Sequence, residues 1–218
     1  MKSGIFSGKM KLALLFFLIS FLLNAQTDCE LRRSQDSIFV YSCKVKESKI
    51  KAIRANFTLP TTPSVLAGHL LDVASYTQWQ YSIIETEVLK QESENEVIYR
   101  AEVKAPWPVS NRDLVVRLKI EQDPETKVMT FSIISIPDYI PAREGVVRVP
   151  LSVGHWTVTP VGRNKVKIDY HFLVDPGGSI PAWLLNLSIA EGPYKTFTNL
   201  TKRIKEGVHV KPAQFIQD

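Results

Sequence analysis

Three stretches of the chain alternate apolar and polar residues with a period of two. "EVIYRAEVK" (96–104) puts Val97, Tyr99, Ala101 and Val103 on one side and Arg100, Glu102 and Lys104 on the other. "DLVVRLKI" (113–120) sets Leu114, Val116, Leu118 and Ile120 against Arg117 and Lys119. "KVKIDYHF" (165–172) sets Val166, Ile168, Tyr170 and Phe172 against Lys165, Lys167, Asp169 and His171. This period predicts antiparallel strands with one covered and one wet face. "IKAIRANFTL" (50–59), "KVMTFSIISI" (127–136) and "GHWTVTPV" (154–161) predict further strands. The period changes in "TTPSVLAGHLLDV" (61–73), where Thr62 suits an N-cap and Pro63 the first turn. Val65, Leu66, His69, Leu70 and Val73 then share a helix face, and 74–83 is a turn or short helix leading back to the sheet. From Ser179 to about Glu206, Trp183, Leu187, Ala190, Tyr194, Phe197, Thr201 and Ile204 form one apolar stripe. Gly192-Pro193 interrupts that stripe and is expected to kink the helix. The fold class is α+β: one curved antiparallel sheet wrapped on one long C-terminal helix.

The first 25 residues stand apart. Lys9 and Lys11 precede an apolar run at 12–23, and Ala25 follows, the layout of a secretory signal peptide. The run is shorter than the about 20 residues a membrane helix needs. Leu23 is large for its place before the cleavage site, and an uncleaved N-terminal anchor is the alternative reading. The remaining residues, 26–218, show no repeat, low-complexity tract or linker and suit a single domain. Removing the signal takes away Lys2, Lys9 and Lys11, so the net charge falls from +5 to +2. No basic stripe for nucleic acid remains. The expected location is outside the cytoplasm, periplasmic or secreted.

Cys29 and Cys43, the two cysteines of the chain, bracket "ELRRSQDSIFVYS". The segment suggests a hairpin in which Leu31 faces Tyr41 and Arg33 faces Phe39, leaving a three-residue loop centred on Asp36. In an oxidising compartment this pairing brings the cysteines together as a disulfide; buried free thiols are the alternative.

Catalytic constellations are scarce. His69, His155, His171 and His209 have no metal-ligand spacing, and no serine sits in a nucleophile elbow. "DPGGS" (175–179) fits a strand-to-helix turn better than a phosphate cradle. Neither a metal nor a cofactor is expected. The sequons at Asn56, Asn186 and Asn199 are read as incidental. More unusual is "KAPWPVSNRDLVVR" (104–117), where Trp107 stands between two prolines that forbid a central strand.

Several segments resemble, in order, the START (steroidogenic-acute-regulatory-related lipid-transfer) domain family. They are "YTQWQ" (76–80), "APWPVSNRDLV" (105–115), "GHWTVTP" (154–160), the Tyr170–Asp175 interval, "DPGGSIPAWLLN" (175–186) and "GPYKTFTNL" (192–200). The resemblance spans about residues 28 to 206. It implies a helix-grip fold with an internal hydrophobic tunnel holding one lipid-like molecule. The residues expected on that tunnel are Tyr99, Leu114, Val116, Leu118, Trp156, Ile168, Tyr170, Phe172, Trp183, Leu187, Tyr194 and Phe197. Each of these aromatics serves equally as core filling; together their hydroxyls and ring nitrogens suit a pocket that orients a ligand.

The resemblance further places the loop bearing Trp107 and Val109 at the tunnel mouth, as a stiff lid able to touch a membrane; the other reading packs Trp107 on the domain. Arg112 and Asp113 are expected to fix that loop. Some sterol-handling members face an acid and an arginine across the cavity. Those positions fall on Tyr99 and Leu118, and Arg117 next door points to the wet face, so the pair is not carried over. The function implied is non-catalytic binding of a hydrophobic ligand, with transfer between membranes, by a monomer in transient membrane contact. A helix-grip enzyme of cyclase or hydrolase type is the alternative.

Overall fold

The computed structural model describes residues 28–46, 51–180 and 182–218, without the side chains of 182–188. The proposed signal segment 1–25 lies outside these residues. Ten strands form one sheet: β1 (Cys29–Gln35), β2 (Ile38–Lys44), β3 (Lys51–Leu59), β4 (Ile83–Ser93), β5 (Glu96–Val103), β6 (Arg112–Gln122), β7 (Met129–Ser135), β8 (Val147–Arg148), β9 (Leu151–Pro160) and β10 (Val166–Asp175). The order is β1-β2-β3-β10-β9-β7-β6-β5-β4, every neighbour antiparallel, with β8 added parallel to the start of β6. Helix α1 (Pro63–Leu71), a 3-10 turn at Val73–Ser75 and helix α2 (Tyr76–Trp79) link β3 to β4. Helix α3 (Ala182–Lys205) packs back on β1, β2, β3 and α2 and continues through Gly192-Pro193 as one element.

The period-two reading locates the inner face. Val40, Ala55, Leu59, Val116, Leu118, Ile120, Met129, Val158 and Ile168 are fully buried there, under Leu66 and Ala67 of α1 and Leu200 of α3. Edge strand β4 is a strand that the sequence reading did not include. Its sides are largely exposed, so no alternation marks it, and three register shifts plus Glu85, Glu87, Lys90 and Glu92 blunt the edge.

The N-terminal hairpin differs from expectation by one residue. Leu31 does face Tyr41, but a bulge between Leu31 and Arg33 moves Arg33 opposite Val40. The loop shortens to Asp36-Ser37, both at positive φ (54° and 60°), the backbone of a two-residue type I′ turn. Cys29 and Cys43 are directly paired and joined as a disulfide.

The outer face is not uniformly wet. Arg100 and Asp113, on polar positions of β5 and β6, are both wholly buried. The connection between β7 and β9 crosses over them. Arg148 reaches Asp113 at 2.7 Å, and Arg143 contacts Glu85 and Glu87 on β4 at 3.3 and 3.1 Å. Asp113 also accepts from Arg100 Nε at 2.5 Å, and Arg148 Nη1 and Nη2 donate to the carbonyls of Pro137, Ile140 and Pro141. Strand alternation cannot report a cover contributed by a segment some 40 residues away.

The C-terminal tail, 208–218, closes over α1. Asp218 accepts from the Ser64 backbone N–H at 2.8 Å and from its hydroxyl at 2.7 Å, a cap that Thr62 does not supply. A Cβ at Gly68 would meet the Lys211 carbonyl oxygen at 2.5 Å, so glycine is required where the tail crosses the helix.

His69 of α1 is buried, and its Nδ1 accepts from Arg203 Nε of α3 at 3.3 Å. Burial first, then the Arg203 charge, hold its pKa below the ordinary imidazole value, against an opposing pull from Asp72. The unfolded chain therefore takes up this proton at higher pH than the folded one. His69 stabilises the fold above about pH 6.5, and the contribution is lost as pH falls from there through the lower folded value. Denaturation midpoints at about pH 7.5 and about pH 5.5 should differ less in His69→Gln than in the parent. An unchanged difference would remove His69 from the acid response.

A candidate ligand cavity

Between the inner sheet face and α3 lies a cavity of about 330 Å³. Its wall is built by register. Phe131 pairs with Trp156, and Trp156 with Tyr170, so β7, β9 and β10 present one aromatic row. Trp156 meets Phe131, Tyr170, Phe197 and Phe57 edge to face at centroid distances of 5.6, 5.3, 5.4 and 6.2 Å. Phe197 stacks on Phe57 at 4.4 Å, which fixes α3 over the row. Gly154, opposite Phe172, leaves room for that ring; a Cβ there would lie 3.3 Å from it. Tyr99, Ala101 and Leu114 form the opposite wall, while Trp79 and Tyr81 close the side near α2.

Of the residues expected on a tunnel, Tyr99, Leu114, Trp156, Tyr170, Phe172 and Phe197 line this cavity. Val116, Leu118 and Ile168 do not. They share the inner face but sit farther along β6 and β10, fully buried in solid core. Tyr194 points elsewhere on α3: its hydroxyl donates to Asp36 at 2.8 Å and Arg33 lies over its ring at 3.8 Å, tying the helix to the β1–β2 turn. The side chains of Trp183 and Leu187 lie outside the described residues. Lining residues that the sequence reading did not single out include Phe131, Ile133, Ser152 and Val174. The first two lie in a strand stretch already recognised; Ser152 carried no signal.

Electrostatically the wall is quiet. Among its described residues Arg112 is the one ionisable group besides the tyrosines. Burial raises the pKa of Tyr99 and Tyr170, so both stay neutral phenols, and lowers that of Arg112. Arg112 donates through Nε to the Pro176 carbonyl at 3.1 Å, through Nη2 to Gly177 at 3.0 Å and through Nη1 to Ser110 at 2.5 Å. It thus joins the loop before β6 to the turn between β10 and α3. Gly177 and Gly178 both adopt positive φ (65° and 64°) in that turn, and the Gly177 N–H is held by the Asp175 carboxylate at 2.9 Å. The "DPGGS" motif is spent on this turn.

Beside it, the loop 104–111 carries Trp107 to its tip, 92% exposed, with Val109 half-buried. Asn111 braces the loop by accepting from the Ala105 N–H at 3.1 Å and donating to Glu102 at 2.8 Å. At the positions of the sterol-type pair, Leu118 is core, and Arg117 is half-exposed, 3.5 Å from Glu96 on the outer face. The sequon residue Asn199 donates to the Trp79 carbonyl at 2.9 Å and is an internal brace.

Comparison with known proteins agrees with this geometry. The START domain family model matches residues 29–208. An uncharacterized protein of Pseudomonas aeruginosa is 32% identical over 173 residues, covering 79% of this chain and 85% of that protein. The phosphatidylcholine transfer protein of Bos taurus is 31% identical over 134 residues, 60% of this chain and 62% of the bovine protein, so the match spans less than two thirds of that relative. The crystal structure of a STAR-related lipid transfer protein fragment from Xanthomonas axonopodis superposes with a TM-score of 0.75 at 31% identity, covering 82% of this chain and 99% of that one. A family model spanning most of the chain, a large antiparallel sheet gripping a C-terminal helix and an apolar cavity between them lead to one conclusion: this chain belongs to the START domain family.

Proposed function

We propose that the protein is a non-catalytic carrier that shelters a hydrophobic, lipid-like molecule in the cavity under α3 and passes it between membranes outside the cytoplasm. Family membership supports lipid binding, and two of the relatives above are lipid transfer proteins by name. The signal-like segment and the Cys29–Cys43 disulfide support an oxidising location. Burying an alkyl chain in such a cavity gains about 0.8 kcal/mol per methylene, which needs no reacting group. The cavity-lining assignments, the mouth loop and a monomeric state belong to the same proposal.

The observation that carries it is the pairing of an apolar cavity, lined by Val103 and Arg112, with an exposed indole on the braced loop between those two residues. Tryptophan favours the membrane interface because its ring is apolar with one polar edge. Trp107 gives almost nothing to the folded core, so the alternative in which it anchors the domain is not supported. Trp107→Ala should slow lipid transfer between vesicles several-fold while stability stays within about 0.5 kcal/mol. The check pairs a vesicle transfer rate with a denaturation midpoint on the same variant. An unchanged transfer rate removes the membrane-touching loop from the mechanism.

A further inference from the structure

Apart from Gln80, Tyr81 and Thr196 on the side of α2 and α3, the polar groups that the sheet gives the cavity lie at two depths. Arg112 and Ser152 stand at the end where β6 and β9 begin, and the Arg112 nitrogens are committed to the three carbonyls described above. Tyr99 lies four residues along β5 from Val103, and Tyr170 four residues along β10 from Val174, both deeper. At about 3.3 Å per residue, the two tyrosines lie roughly 13 Å along their strands from Val103 and Val174, which pair with Arg112 and Ser152. Ala101, Leu114, Ile133 and Phe172 make the intervening wall apolar.

Tyr99 is 5% exposed, yet among the described residues neither its hydroxyl nor that of Tyr170 has a hydrogen-bond partner. Both phenols line the same cavity, and burial first, then the neighbouring Tyr99, keeps Tyr170 neutral. Buried hydroxyls without partners are costly, and here a pair of them faces empty space that a ligand would fill. No carboxylate, lysine or histidine stands among the described lining residues, and the sequence 181–188, "PAWLLNLS", contains no ionisable residue either. A phosphate or ammonium head carried to that depth would lose its water without meeting a counter-charge. Trp156, the largest ring, is already packed against four others.

We propose, resting on the carrier reading above, that the ligand is an uncharged lipid inserted polar end first, whose carbonyl, ester or hydroxyl oxygen accepts from Tyr99 and Tyr170. The cavity volume, at the lower end of the range for ligand pockets, favours one acyl chain or a compact ring system over two long chains.

Two lipids that share one chain and differ in the head test this: monooleoylglycerol and oleoyl-lysophosphatidylcholine, each tritiated and offered at trace level in vesicles. After the vesicles are pelleted, the protein fraction should retain the glycerol lipid at least about tenfold better than the charged one. Tyr99→Phe and Tyr170→Phe keep the rings and the fold, checked by an unchanged thermal midpoint. Each should lower retention of the neutral lipid about fivefold and leave the charged lipid unaffected. Equal or better retention of the lysophospholipid, or a neutral lipid indifferent to both substitutions, overturns the neutral-ligand assignment and leaves the carrier reading standing. Retention of neither lipid overturns the carrier reading and this assignment with it.

Discussion

Asp113→Ala is expected to lower stability by about 3–5 kcal/mol, the range for removing one member of a buried ion pair. The carboxylate has no exposed surface and stands between two guanidinium groups, Arg100 at 2.5 Å and Arg148 at 2.7 Å. Without it the buried Arg100 and the partly buried Arg148 face each other with no carboxylate between them. Arg100 would keep Glu102 at 3.1 Å and Glu85 at 3.2 Å, whereas Arg148 would keep only carbonyl oxygens. The segment 137–148 should then lift from β5 and β6. The effect is therefore expected both in a urea midpoint and in faster proteolysis within that segment. Adding Arg100→Met and Arg148→Met to Asp113→Leu should recover much of the loss, because both guanidinium partners then leave with the carboxylate, while Glu85 keeps Arg143 and Glu102 keeps Asn111. A single-variant loss below about 1 kcal/mol would show that water already reaches the cluster.

Phe197→Ala should cost a similar amount, about 3–5 kcal/mol, by a different route. The ring is 1% exposed and touches Phe57, Trp156 and Tyr170 at once, so deleting it leaves a hole that three rigid rings cannot fill. For a domain of this size the loss corresponds to roughly 6–20 °C in thermal midpoint. The hole opens into the cavity, so an apolar ligand binding there should restore part of the midpoint by mass action, more than it raises that of the parent. A variant that loses stability but does not respond to any lipid would place Phe197 in the core and not on the ligand wall.

The strands that alternate strongly, β5, β6 and β10, were legible in the sequence, as were α1 and α3, because one face of each is buried and the other is not. What alternation could not supply is depth. Leu114 and Leu118 have the same parity on β6, as do Ile168 and Phe172 on β10, yet one of each pair meets the cavity and the other meets core. Position along the strand decides this, through where α1 and α3 fill the space. Arg100 was assigned to solvent for the related reason that its cover arrives from residues 137–148. The cap on α1 was invisible because its acceptor, Asp218, is 154 residues away from Ser64. Trp107 was the reverse case. Two flanking prolines marked it as neither strand nor core, and its exposure is the physical outcome of that constraint.

In the proposed carrier, Arg112 would make opening of the mouth a joint event. One guanidinium divides its donors between Ser110, on the loop that carries Trp107, and Pro176 and Gly177, on the turn from which α3 departs. Moving either element alone strands charged N–H groups away from bulk water, so each shift penalises the other until both have moved. Two segments that share one buried cation would then move together and not as independent hinges. If Trp107 meets a bilayer as proposed, that contact would be communicated through this one side chain to the turn from which α3 departs.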